Sequence, residues 1–221
     1  MILAECKPIA DILRYLGSAR RVLLVGCHGC VTVCSAGGQR EVDLLADVLE
    51  LARKAQGQPI EIGKMTLERQ CDAEFLTEML EQANNYDLIL SLACGAGVQL
   101  VAERAGSLRV LPALDTISIG VREQKGQWGE RCQACGDCKL PLTGGICPVT
   151  RCSKSLLNGP CGGSSKGLCE IGNGTPCGWQ LIIDRLEATG CLDQYETILE
   201  PADWSNSRDG GPRKLVREDL K

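Results

Sequence analysis

Fifteen cysteines in a chain of 221 residues are the residues here that carry chemistry. Thiolates are soft ligands and suit iron–sulfur clusters and zinc. No secretory leader is read over Met1–Lys7, and no apolar run reaches the length that spans a bilayer. The expected compartment is therefore the reducing cytoplasm, where dense cysteines read as metal ligands rather than disulfides. The single histidine, His28, excludes a His-rich metal site. The mild acidity, a net charge of −4, gives no reason to expect nucleic acid as a partner.

The tightest spacing is Cys132-x2-Cys135-x2-Cys138. Three cysteines this close can face one cubane from a single loop, as in bacterial ferredoxins. In that pattern a fourth cysteine follows three residues later and precedes proline. Here Cys147-Pro148 keeps the proline but comes after eight residues. Cys152, Cys161, Cys169 and Cys177 bring the total to eight cysteines between 132 and 177. Eight thiolates suffice for two four-thiolate sites, or for one with spare thiols. Zinc is the competing metal, since a zinc site of four thiolates often staples a segment that is poor in apolar residues. Cys6 and Cys191 stand apart and read as ordinary thiols.

A second set lies in the first half: Cys27, Cys30, Cys34, Cys71 and Cys94. Their meaning depends on the elements that hold them. Arg21–Gly26, Pro59–Gly63 and Asp87–Leu92 read as strands, with Arg109–Ala113 closing the series. Helical periodicity fits about 9–16, 39–54, 75–83 and 97–105. Strands alternating with helices predict a parallel sheet with helices on its faces. Cys27, Cys30 and Cys34 follow the first strand, Cys71 the second, and Cys94 the third. All five then fall at the carboxyl edge of one sheet, where open α/β folds bind their ligands. A cubane needs four thiolates, so one of the five is a spare or a neighbour. The alternative is that they are buried small hydrophobes. Gly26-Cys27-His28-Gly29 lacks the spacing of a dinucleotide loop, and no Walker motif occurs.

The expected fold class is α/β. It comprises an N-terminal parallel sheet with flanking helices (1–125) and a cysteine-rich, mostly irregular metal-binding C-terminal domain (126–204). A polar, extended C-terminal arm follows (205–221). The segment from 132 to 177 is too poor in apolar residues to fold without a staple. A helix resumes at Trp179 and ends near Gly190.

Longer runs carry a family resemblance. They are Cys132–Cys138, Thr143-Gly144-Gly145-Ile146-Cys147-Pro148 through Cys152, Leu157-Asn158-Gly159-Pro160-Cys161-Gly162-Gly163, Cys169-Glu170 and Cys177-Gly178-Trp179. They resemble the cysteine-rich C-terminal family of methylenetetrahydrofolate reductases. Gly26–Gly38 and Ala93–Val98 are similar too, so the resemblance extends over about 10–204. In acetogenic bacteria this module is a MetV-type small subunit. The resemblance implies a MetF-type flavoprotein partner that carries FMN, with [4Fe-4S] clusters or zinc in the chain itself. It implies an electron donor such as ferredoxin, and a role in passing electrons to the partner's flavin. The other reading is a zinc-binding structural or assembly subunit of the same complex. No carboxylate pair or histidine stands out as an acid or base, so the expected part is a non-catalytic subunit.

Overall fold

The computed structural model describes residues 1–220. The chain divides into two compact units, Met1–Trp128 and Gly129–Lys221.

The first unit is α/β, with a four-stranded parallel sheet. Its strands are β2 (Arg21–Cys27), β3 (Glu61–Leu67), β4 (Leu88–Ser91) and β5 (Arg109–Pro112), in the order β3-β2-β4-β5. Side chains of a strand alternate between faces, and the two cores follow that alternation. Val22, Leu24, Leu88 and Leu90 pack with α1 (Ile9–Leu16) and α3 (Gln39–Ala55). Leu23, Val25 and Ile89 pack with α4 (Thr77–Ala83) and α5 (Gly95–Arg104). Both faces are covered, which is why the strands read as unbroken apolar runs.

A second sheet was not expected. It has three strands in the order β1-β6-β7: β1 (Ile2–Cys6), β6 (Leu114–Gln124) and β7 (Gln127–Cys132). β1 and β6 pair antiparallel, with a register shift between Leu3 and Ala4. β7 runs from the first unit into the second. β3 also lies later than the expected 59–63. Pro59 has no N–H to give to a ladder, and the pairing runs from Arg21↔Glu61 to Cys27↔Leu67.

The second unit holds two helices, α6 (Pro148–Arg151) and α7 (Gly178–Ala188), among turns and short 3-10 segments. Its apolar core is small: Trp179, Ile182 and Leu186 of α7 with Cys177. Trp179 donates its indole N–H to the Leu156 carbonyl at 2.9 Å, tying α7 to the preceding loop. Among the described residues, no helix is long and apolar enough to cross a membrane.

Candidate metal centres

The chain leaves β2 for β3 on one side, then crosses to β4 and β5 on the other. β2 and β4 are neighbours whose onward connections diverge, so the topological switch point lies between their carboxyl ends. Cys27 is the last residue of β2, and Cys94 is the N-cap of α5, just beyond β4. Cys30 opens the one-turn helix α2 (Cys30–Val33). Cys71 arrives on the loop after β3. Burial pushes the Cys71 thiol up, and Cys94, Cys27 and Cys30, in that order of strength, push it further as neighbouring charges. Thiols from the other two loops thus lie within electrostatic reach of Cys71.

Cys34 is not brought into this group. α2 stops at Val33, and Ser35 turns in the left-handed region with φ +56°. The Cys34 thiol points instead at the Val31 carbonyl (3.6 Å) and the Ala4 carbonyl (3.8 Å). It lines a largely apolar cleft of about 380 Å³ together with Cys6. His28, between two of the four thiols in sequence, is exposed.

One residue that sequence reasoning missed holds the three loops in place. Gln70 is fully buried. Its amide nitrogen donates to the Val25 carbonyl (2.8 Å) and the Gly26 carbonyl (2.9 Å), just before Cys27. Its amide oxygen accepts from the Ser91 hydroxyl at 2.7 Å, and that hydroxyl accepts from the Ala93 N–H, next to Cys94. A single side chain therefore ties the Cys71 loop to the ends of β2 and β4. Gly97 of α5 makes room for it: a Cβ there would lie 3.0 Å from the Gln70 Cβ.

In the second unit, Cys132, Cys135 and Cys138 share one loop. The Ala134 N–H donates to the Cys132 sulfur at 3.2 Å, with Ala134 itself in the left-handed region at φ +51°. The Thr150 hydroxyl donates to the Arg131 carbonyl at 3.0 Å, which draws α6 and its N-cap Cys147 toward this loop.

Cys152, Cys161, Cys169 and Cys177 are drawn together by different contacts. Cys177 caps α7, and Cys152 packs on the same small core. A Cβ on Gly178 would lie 2.8 Å from the Cys152 nitrogen, so glycine permits that approach. The Ser153 hydroxyl meets the Cys169 sulfur at 3.7 Å, and the Gly163 N–H donates to the Cys161 sulfur at 3.4 Å. Lys154 is ion-paired with Glu170 and also hydrogen-bonds to Cys161. The Ile171 N–H, then the Ser153 hydroxyl, hold the Cys169 thiol below the ordinary thiol range. Cys191 packs on the core beside α7, with its thiol 3.5 Å from the Thr189 carbonyl.

Residues 111–205 match the profile of the family described as "Methylene-tetrahydrofolate reductase C terminal". This stretch of the chain is similar to that C-terminal family. No curated protein and no solved structure matches the chain. The matched stretch takes in all eight cysteines of the second unit's set, whereas Cys27, Cys30, Cys71 and Cys94 precede it. Among the described residues, no three His, Cys, Asp or Glu side chains close round a point that would hold a single metal ion. The donor chemistry is nonetheless uniform: thiolate sulfur, the ligand of iron–sulfur clusters and of structural zinc. At Cys169 the N–H and hydroxyl donors aimed at sulfur favour its anionic form.

Two outcomes follow. Gln70→Ala leaves two carbonyls and a hydroxyl without their buried partner. It should cost about 2–4 kcal/mol in urea unfolding and weaken metal binding by roughly 10–100-fold at the first site, with the second unit unaffected. In metal-stripped protein, the thiolate is the species that is alkylated. Cys169, shifted down, should react with iodoacetamide before Cys71 and Cys6, which are shifted up. Mass spectrometry should find that order in buffer and lose it in urea.

Proposed function

We propose that this chain is the iron–sulfur electron-transfer subunit of a methylenetetrahydrofolate reductase complex. Its role is to pass electrons to the flavin, expected to be FMN, of a MetF-type flavoprotein partner. The observation that carries the reading is the convergence of Cys27, Cys30, Cys71 and Cys94 at the sheet's switch point. It stands on the same chain as a stretch similar to the reductase C-terminal family, with eight further cysteines. Three ligand sets are assigned. The first is Cys27, Cys30, Cys71 and Cys94. The second is Cys132, Cys135, Cys138 and Cys147, and the third Cys152, Cys161, Cys169 and Cys177. Cys34 is left out, because its thiol points into the core.

When bound, a [4Fe-4S] cluster supplies one-electron uptake and release at a potential set by its surroundings. The residues of this chain do the rest. The cysteines hold the group, and the Ala134 and Gly163 N–H groups and the Ser153 hydroxyl direct positive dipoles at the ligand sulfurs. Lys154 places a positive charge beside Cys161. Donors of this kind stabilise the reduced, more negative state and raise the potential. Hydride transfer to the folate is then the flavin's chemistry in the partner. The electron source is a small reduced protein such as ferredoxin, acting in the cytoplasm.

A second reading keeps the complex but puts zinc in the C-terminal unit, where it serves structure and assembly. The small apolar core there is what the reading rests on, since a zinc site of four thiolates staples a unit of this kind.

Anaerobically purified protein should be brown, with a broad visible absorption band that bleaches on reduction and returns on oxidation. Iron and acid-labile sulfide should be found in equal amounts. Colourless, fully folded protein with stoichiometric zinc and no iron would overturn the electron-transfer reading and support the second.

A further inference from the structure

The polar segment after residue 202 packs on the loop that carries Cys132, Cys135 and Cys138, and three separate contacts fix it there. The Asp203 N–H donates to the Asp137 carboxylate at 3.1 Å. The Arg213 guanidinium donates through Nη1 to the Ala134 carbonyl at 2.6 Å and to the Asn206 carbonyl at 3.1 Å. The Asn206 carbonyl also lies so close to Gly136 that a Cβ there would be 2.5 Å from it. Gly136 has φ +87°, so it is required by conformation and by space.

The strap has an order of its own. The Asp203 carboxylate accepts from the Ser205 N–H (3.0 Å) and the Asn206 amide (2.7 Å). Ser207 is buried, although its neighbours are polar. Its hydroxyl donates to the Trp204 carbonyl at 2.6 Å and accepts from the Asp209 N–H at 3.0 Å. Lys139 grips the same Asp137 oxygen, at 2.8 Å.

The loop needs such a hold. Ala134 sits in the left-handed region without being glycine, a conformation that persists only when its surroundings enforce it. Arg213 binds the carbonyl of that residue. We propose that the strap from Asp203 to Arg213 completes the Cys132–Cys135–Cys138 site. It locks the strained loop in the one conformation that presents its three thiolates together, with Arg213 as the positioning residue. The family match ends at residue 205, so most of the strap lies beyond it. The inference rests on the reading of these cysteines as metal ligands.

The test uses the full-length, metal-loaded protein and three companions: Arg213→Ala, Arg213→Lys, and a chain ending at Ala202. Each is exposed to bathophenanthroline for iron or 4-(2-pyridylazo)resorcinol for zinc, with iodoacetamide present. Mass spectrometry follows the labelling of each cysteine. In Arg213→Ala and in the shortened chain, Cys132, Cys135 and Cys138 should become labelled at least tenfold faster than in the parent. Cys152, Cys161, Cys169 and Cys177 should keep the parent rate. Arg213→Lys, which keeps a cationic donor, should recover part of the protection. Labelling of Cys132, Cys135 and Cys138 at the parent rate in both shortened and Arg213→Ala chains would overturn the proposal. So would equal acceleration at all seven cysteines, which would mean that the strap only supports the unit as a whole. If the parent protein itself labels Cys132, Cys135 and Cys138 at once while holding no metal, the metal reading of this loop is what fails.

Discussion

Thiols that crowd together oppose each other's ionisation, and a cation relieves that opposition. Cys71 shows the constraint directly. Burial and the charges of Cys94, Cys27 and Cys30 all act to keep it protonated. A metal centre reverses the balance, since a coordinating thiol gives up its proton outright. The first unit is arranged around this tension. Cys27, Cys30, Cys71 and Cys94 sit where the chain leaves the carboxyl ends of β2, β3 and β4. The cores on both faces of the sheet fix those strand ends, and Gln70 bolts the Cys71 loop to both. One buried amide thus ties its three loops together.

The second unit meets the same constraint with less apolar material. Its core is little more than one face of α7. Sulfur there is surrounded by donors: N–H groups at Cys132 and Cys161, N–H and hydroxyl groups at Cys169, and an ammonium at Cys161. At Cys169 they favour thiolate where hydrophobic burial cannot organise the chain. They also distinguish Cys152, Cys161, Cys169 and Cys177 from the first unit's four proposed ligands, for which no comparable lysine contact is found among the described residues. The turns needed to bring so many cysteines together push Ala134, Ser155 and Lys166 into the left-handed region. Strain of that kind calls for external restraint, and the strap over Ala134 is one instance.

Much of the first unit was legible in the sequence because its signals are local. The apolar run of β2, the period of α3 and the cysteines trailing three strands require only alternation and spacing. The small antiparallel sheet was passed over. β1 is short and lies at the start of the chain, and β6 exposes Ile117 and Val121 where apolar burial would have marked it. Cys34 could not be separated from Cys30 by spacing, because four residues on a continuous helix share a face. The structure separates them by contact alone, with the Cys34 thiol turned to the Ala4 and Val31 carbonyls. Gln70 and Arg213 were illegible for a different reason. Nothing in a polar side chain's own sequence context says that its partners lie some 45 or 79 positions away. The resemblance over 10–204 was narrowed by the family match to 111–205, so the first ligand set now rests on geometry alone.

The partition of the cysteines into fours is the claim on which the functional reading depends. Metal content across the thirteen single Cys→Ser variants from Cys27 to Cys177, measured on anaerobically purified, folded protein, tests it most directly. Three groups should emerge, each losing one site's metal: Cys27, Cys30, Cys71 and Cys94; Cys132, Cys135, Cys138 and Cys147; Cys152, Cys161, Cys169 and Cys177. Cys34→Ser should keep the full complement. Loss of the first site's metal in Cys34→Ser, with Cys71→Ser fully loaded, would contradict the account.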